Sequence, residues 1–208
     1  MKKFTPLSKN HDTESWSKEG KSWDYSAQPN GGWVGGHFKV PNLSNGYHGI
    51  LKQWWDHYSG SGELDVLLVS EGNGVKVGFN EAYPKWNLKT TDKFYELQTR
   101  PDIIADICTP DSLPENEFDL VINQATMEHV YNPWAAINNC IRALRIGGNL
   151  VVHTHPPVMP YHSFPRDYIR FMKDWWYDIP YYNKSVELME FFMLENRNVF
   201  ALYRKKDA

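Results

Sequence analysis

From Leu64 onward, short apolar runs alternate with stretches of helical periodicity, and that alternation constrains the chain more than any other feature. Parallel strands need a crossover to bring the chain back to the same edge, so strand, helix, strand in succession is the pattern of a parallel sheet with helices on its faces. The segments Asp65 to Ser70, Leu88 to Thr91, Ile103 to Ala105, Phe118 to Asn123 and Asn149 to Thr154 read as its strands. Between the last two, "PWAAINNCIRALRIGG" repeats Trp134, Ile137, Ile141 and Leu144 at helical spacing, with Pro133 suited to the first turn and Gly147-Gly148 to the stop. The end of the chain differs: "MEFFMLENRNVFALYRKK" is two apolar runs joined by "ENRN", which predicts an antiparallel pair finishing the sheet.

A chain of 208 residues holds one domain with a substantial core and some decoration. Residues 1–60 form an aromatic-rich N-terminal extension, polar until "NGYHGILKQWWDHYSG", where Ile50, Leu51, Trp54 and Trp55 fit a short capping helix ending before Gly60. Residues 61–208 make the main domain. With 15% aromatic residues and nine Trp, the chain has more rings than usual, which fill either the core or a pocket for flat ligands. A net charge of -3 argues against a broad nucleic-acid footprint, and the "YRKK" end is a short basic cluster that reads as solvating the last strand. No apolar window reaches the length of a membrane span and no apolar segment follows the N-terminal lysines, so the expectation is a cytosolic protein without a membrane partner. Cys108 and Cys140 sit in apolar or helical patterns and read as core thiols.

Residues Pro101 to Phe171 hold a set of short signals in order: an acid after a strand, the strand entry "LPENEFDLVI", the turn "EHV", the helix start "NPW" and the stop "RIGG". In this order and spacing they resemble the class I S-adenosylmethionine-dependent methyltransferases, in particular the small type 11 group. The resemblance implies a Rossmann-like doubly wound sheet, with S-adenosylmethionine bound outside the carboxyl ends of the strands where the strand order reverses. It puts Glu71, Gly72 and Gly74 in the loop after the first strand, where glycine lets backbone approach the ligand and a helix start offers N–H groups to its carboxylate. Asp92 would accept the ribose hydroxyls, Asp106 the adenine amino group, and Ile107 would cover the ring. Asn123 and Gln124 would stand near the amino-acid end of the cofactor. The first loop departs from the family pattern, with Ser70 where the first glycine is common and Leu68 where an acid is common. "VKVGFNEAYPKW" also carries Gly78 and Pro84, so its helix must be short or broken.

The acceptor side is read from "HTHPPVMPYHSFPRDY", in which four prolines stiffen a loop rich in polar and aromatic side chains. Methyl transfer to a hydroxyl is an in-line displacement, and an imidazole within reach can take the hydroxyl proton. His155 is the first candidate for that base and His162 the second. Tyr161, Arg166, Asp167 and Tyr168 are the candidate substrate-binding residues, suited to a sugar or other small hydroxyl compound and nearly as well to an amine or a small aromatic metabolite. His129, after Glu128, reads as a structural residue hydrogen-bonded at a helix start. His153 and His155 alternate along the strand, but no well-defined zinc spacing is present, and the expectation is a site without metal. The leading expectation is an O-methyltransferase acting on a glycan or small-molecule hydroxyl. The rival is a non-catalytic interaction module whose first loop has lost the cofactor, and the sequence leaves the oligomeric state open.

Overall fold

The computed structural model describes residues 46–93, 100–162, 166–194 and 198–207. The extension read over residues 1–45 lies outside them. The described chain runs α1 (Gly46–Ser59), β1 (Leu64–Val69), α2 (Asn73–Ala82), β2 (Trp86–Asp92), β3 (Ile103–Ile104), β4 (Phe118–Gln124), a single 3-10 turn (Met127–His129), α3 (Pro133–Ala143), β5 (Leu144–Thr154), α4 (Lys173–Tyr182), β6 (Val186–Leu194) and β7 (Asn198–Lys205). The strand order is β3-β2-β1-β4-β5-β7-β6. The first five strands are parallel, and β7 lies antiparallel between β5 and β6. This is the doubly wound α/β sheet with a terminal hairpin that the sequence predicts.

Alternation along β1 and β4 divides the core in two. Leu67, Val69 and Val121 pack with Ile137 and Ile141 of α3 and Trp176 of α4. Val66, Leu68, Leu120 and Ile122 pack on the other face with Trp54 and Trp55 of α1. Thus α1, grouped by sequence with the extension, supplies core to the sheet. Much of the aromatic excess is used there: Trp86 stacks on Tyr83 with ring centroids 4.5 Å apart, and Trp55 meets Trp86 edge to face. A separate cleft of about 610 Å³ opens between α3 and α4, lined by Trp134, Asn138, Trp175, Asp178 and Tyr182.

Two local readings change and a third is narrowed. The helix stop is at Ala143, not at Gly147-Gly148, because Leu144 turns extended and pairs with Phe118 as the first residue of β5. The next register pair is Leu120 with Asn149, so the glycines lie in a bulge. Gly147 has φ +85, and a Cβ on Gly148 would come within 3.0 Å of the Arg145 and Asp119 carbonyl oxygens. The helix after the first loop is short but unbroken: Gly78 lies within α2 and Pro84 beyond its end. Finally, Lys205 of the basic end does not merely solvate β7. Its ammonium donates to the carbonyls of Arg142 and Leu144 at 3.1 and 2.7 Å, capping the end of α3.

The chain leaves β1 toward β2 and β3 on one side and returns to β4 and β5 on the other. The strand order reverses at β1 and β4, and the crevice at their carboxyl ends is where an open parallel sheet takes its ligand.

Candidate active site

The half of this edge formed by β1, β2 and β3 carries three acids. Ser70 ends β1 in the left-handed region at φ 57, the conformation that favours glycine. The turn is fixed by the Glu71 N–H donating to the Thr91 carbonyl at 3.2 Å. Gly72 then starts α2 without a side-chain cap, and the helix's earliest N–H groups have no intrahelical acceptor. Gly74, placed by sequence in the loop, lies in the first turn of α2, where an added Cβ would meet open space, so the helix start leaves room for a ligand against the backbone. Asp92 is the last residue of β2, and its charge, second to burial, helps push the Glu71 carboxyl up to about 7. Asp106 follows β3, where its Oδ1 accepts from the Cys108 N–H at 2.9 Å and closes a tight turn.

Ile107 is buried in the core cluster with Leu113 and Ile137. Asn123 needs a correction. Its side chain is 0% exposed and donates from Nδ2 to the Cys140 sulfur at 3.7 Å, so it points at α3 rather than into the crevice. The reason is parity: Asn123 shares a strand face with Val121, which packs against that helix layer. Gln124, the last residue of β4, is half-buried.

At the ends of β4 and β5 the structure assembles a group that spacing alone does not show. Glu128 lies in the 3-10 turn after β4 with its side chain 0% exposed. The Thr154 hydroxyl, from the end of β5, donates to its Oε2 at 2.6 Å. Three imidazoles face its other oxygen: the Nε2 atoms of His155, His129 and His162 lie 3.4, 3.8 and 3.9 Å from Oε1. The His155 and His162 rings meet edge to face with centroids 4.9 Å apart. His129, expected to bond at a helix start, instead has Nδ1 2.6 Å from the Arg166 carbonyl oxygen in a loop distant in sequence. A carbonyl only accepts, so Nδ1 is the donor and holds a proton. His153 is not in this group. It turns to the other face of β5, with Nε2 2.7 Å from the Asn198 Oδ1.

The loop that carries His162 is pinned from behind. Asp167, with a side chain only 3% exposed, accepts from both terminal nitrogens of Arg170 and from the His162 N–H at 2.8 Å. The Arg170 bonds, followed by that N–H, hold its carboxyl well below the usual range. Asp167, expected to bind substrate, is therefore committed to positioning the loop, because burial demands that its charge be paired. Arg170 was missed by sequence reasoning, and Glu128 was read with His129 as structural. Glu128 stands in the turn that follows β4 and His155 directly after its parallel neighbour β5, which is the signal that could have joined them. Tyr161 is 73% exposed, and Tyr168 and Arg166 also offer side chains to solvent near the histidines in the chain.

Residues 87–152, about a third of the chain, match the family model described as "Methyltransferase domain". No curated protein matches the sequence. Among solved structures, the fold is similar to Burkholderia thailandensis 1,6-didemethyltoxoflavin-N1-methyltransferase, determined with 1,6-didemethyltoxoflavin and S-adenosylhomocysteine bound (TM-score 0.57, 13% identity, covering 84% of this chain and 94% of that one). It is also similar to a SAM-dependent methyltransferase from Archaeoglobus fulgidus (TM-score 0.55, 15% identity, 78% and 96% covered). The N-methyltransferase NodS from Bradyrhizobium japonicum aligns at TM-score 0.50 and 14% identity, over 79% of this chain and 99% of that one. Family model and architecture agree: the fold is that of the class I S-adenosylmethionine-dependent methyltransferases, and residues 87–152 match a methyltransferase domain model. Among the described residues, no helix is long and apolar enough to cross a membrane.

Proposed function

We propose that this chain is an S-adenosylmethionine-dependent methyltransferase that acts on a hydroxyl of a sugar, a glycan or another small molecule. The observation that carries the reading is Asp92, which closes β2 beside the uncapped start of α2 at the point where the strand order reverses. The residues fit the cofactor. The first-turn N–H groups of α2 suit its carboxylate, Glu71 its cationic groups, Asp92 the ribose hydroxyls and Asp106 the adenine amino group. The open space at Gly74 lets the ligand lie against the helix start. When bound, S-adenosylmethionine supplies an electrophilic methyl group on sulfur.

The histidine group favours oxygen over nitrogen as acceptor. A neutral amine attacks with its own lone pair and sheds a proton afterwards, whereas a hydroxyl must lose its proton as the new bond forms. A carboxylate ringed by imidazoles at the neighbouring strand ends provides for that proton, with His155 the first group to receive it and His162 the second. The exposed ring of Tyr161 supports a sugar acceptor, since rings of this kind stack on sugar faces.

Calorimetric titration of the full chain with S-adenosylmethionine and S-adenosylhomocysteine tests the cofactor half. Micromolar binding is expected. Asp92→Ala should weaken it about tenfold to hundredfold through the loss of charge-assisted hydrogen bonds. His155→Ala should bind as the parent does and slow transfer by about a hundredfold or more. The rival reading, an interaction module, draws on the buried Leu68 and on Ser70 in the first loop. An absence of binding at millimolar cofactor would establish it in place of the enzyme.

A further inference from the structure

We infer that Glu128, His155 and His162 form a site for one divalent transition-metal ion, with zinc the best chemical match. One ligand atom from each lies within 4.8 Å of the others. The separations argue for an ion rather than for hydrogen bonds. At 3.4 and 3.9 Å from Oε1, the two imidazole nitrogens are beyond hydrogen-bond length. A tetrahedral ion with bonds of about 2.1 Å holds its ligand atoms roughly 3.4 Å apart. A second observation is the carboxylate itself. Glu128 Oε1 is buried and has no hydrogen-bond partner. A buried carboxylate oxygen without a donor is costly, and a cation bound to it removes the cost.

The surroundings are those of a metal site as well. The Thr154 hydroxyl fixes Oε2, so Oε1 is aimed. The backbone of His162 is anchored by Asp167, and the Arg166 carbonyl sets the ring of His129. Two imidazoles and one carboxylate, hard and borderline donors without a thiolate, suit Zn²⁺ and leave a coordination position open.

The consequence for catalysis rests on the methyl-transfer reading, whereas the metal site itself does not. With the ion held by Glu128, His155 and His162, the two imidazoles would be ligands instead of bases; the ion would lower the pKa of an acceptor hydroxyl, and its proton would pass to water on the solvent-exposed side of His162. This favours acceptors that present an oxygen with a second donor close by, as a sugar diol does.

The test is calorimetric titration of the chelator-treated full chain with ZnCl₂, together with the visible spectrum on adding Co²⁺. The expected result is one ion per chain at submicromolar affinity and the intense absorption of four-coordinate Co²⁺. His155→Ala and His162→Ala should each weaken zinc about a hundredfold or more, and Glu128→Gln similarly. His57→Ala, an exposed histidine on α1, should match the parent. Glu128→Gln disturbs a buried position, so the two histidine variants carry the result if it fails to fold. Zinc binding that is weak, or that is the same in His162→Ala as in His57→Ala, overturns the site. S-adenosylmethionine titrated into the same metal-free sample reads the other proposal separately. Cofactor binding without zinc binding overturns the metal site alone, and zinc binding without cofactor binding upholds the site and removes its catalytic use.

Discussion

The two halves of the sheet's carboxyl edge are built in opposite ways. At β1, β2 and β3 the polar groups are spread out: Ser70 and Glu71 in one loop, Asp92 at a strand end and Asp106 in the next turn, flanked by α2, which has no buried residue. At β4 and β5 one fully buried carboxylate gathers three imidazoles and a threonine, and an Arg170–Asp167 pair braces the loop from behind. The first arrangement suits a long ligand held at several points, with the ligand supplying much of the packing. The second suits a fixed charge whose neighbours must be in place before anything binds. Residue changes should therefore act on affinity in the first half, and on stability and turnover in the second.

The largest expected effect tests the second half. Asp167→Ala leaves Arg170, itself largely buried, without its carboxylate and frees the His162 backbone. It should destabilise the fold by about 3 kcal/mol in denaturant unfolding, the cost of breaking a buried pair from one side. Because the folded carboxyl is held below its ordinary range, the parent has this contribution above the unfolded carboxylate pKa and loses it as pH falls through the folded value. The variant should lack that acid-sensitive part. Cofactor affinity should not move, and if it drops with stability the two halves are one unit and the comparison fails.

The sequence shows these halves unequally, for physical reasons. Strands β1 and β4 are legible to within a residue because both are buried on two faces and read as unbroken apolar runs. The acids at the cofactor half are legible too, since each follows its own strand. The start of β5 is not, because Gly147-Gly148 has the same composition whether it stops a helix or makes room for a bulge. Asn123 was misread although its parity with Val121 was available. The histidine group is hidden because Glu128 and His155 meet only through register: β4 and β5 pair Gln124 with His153, and this brings the residues just beyond the two strand ends together. Asp167 and Arg170 are close in sequence, yet nothing in "RDYIR" shows that the pair turns inward.

A smaller effect sharpens the first half. The Glu71 carboxyl, near 7 when folded against an ordinary value of 4.5, is raised by burial and by Asp92. A raised carboxyl holds its proton in the folded state, so its contribution to stability is full below about 4.5 and is lost as pH rises through about 7. Cofactor binding should run the other way. A cationic ligand prefers the ionised carboxylate, so the dissociation constant should rise by up to about tenfold per pH unit below 7. In Glu71→Gln that slope should flatten and stability above pH 7 should increase. A slope that persists in the variant assigns the titration to another group.

The smallest effect bears on whether the altered loop is degraded or intact. Ser70 stands where relatives commonly have glycine, and it still adopts φ 57, so the backbone keeps the shape that glycine would give at a conformational cost of about 1 kcal/mol. Its side chain is exposed, so replacing it takes little packing away. Ser70→Gly should therefore relieve strain, offset in part by the extra freedom of glycine in the unfolded chain, for a net gain of about 0.5 kcal/mol in denaturant unfolding. The informative part is the pairing of two readouts. A loop kept for cofactor should gain this stability with unchanged affinity for S-adenosylhomocysteine, because the bound shape was already present. A loop that had lost its ligand would be under no constraint to hold a serine in the left-handed region, and finding no stability change would show that the turn relaxes freely and that the first half no longer demands its geometry.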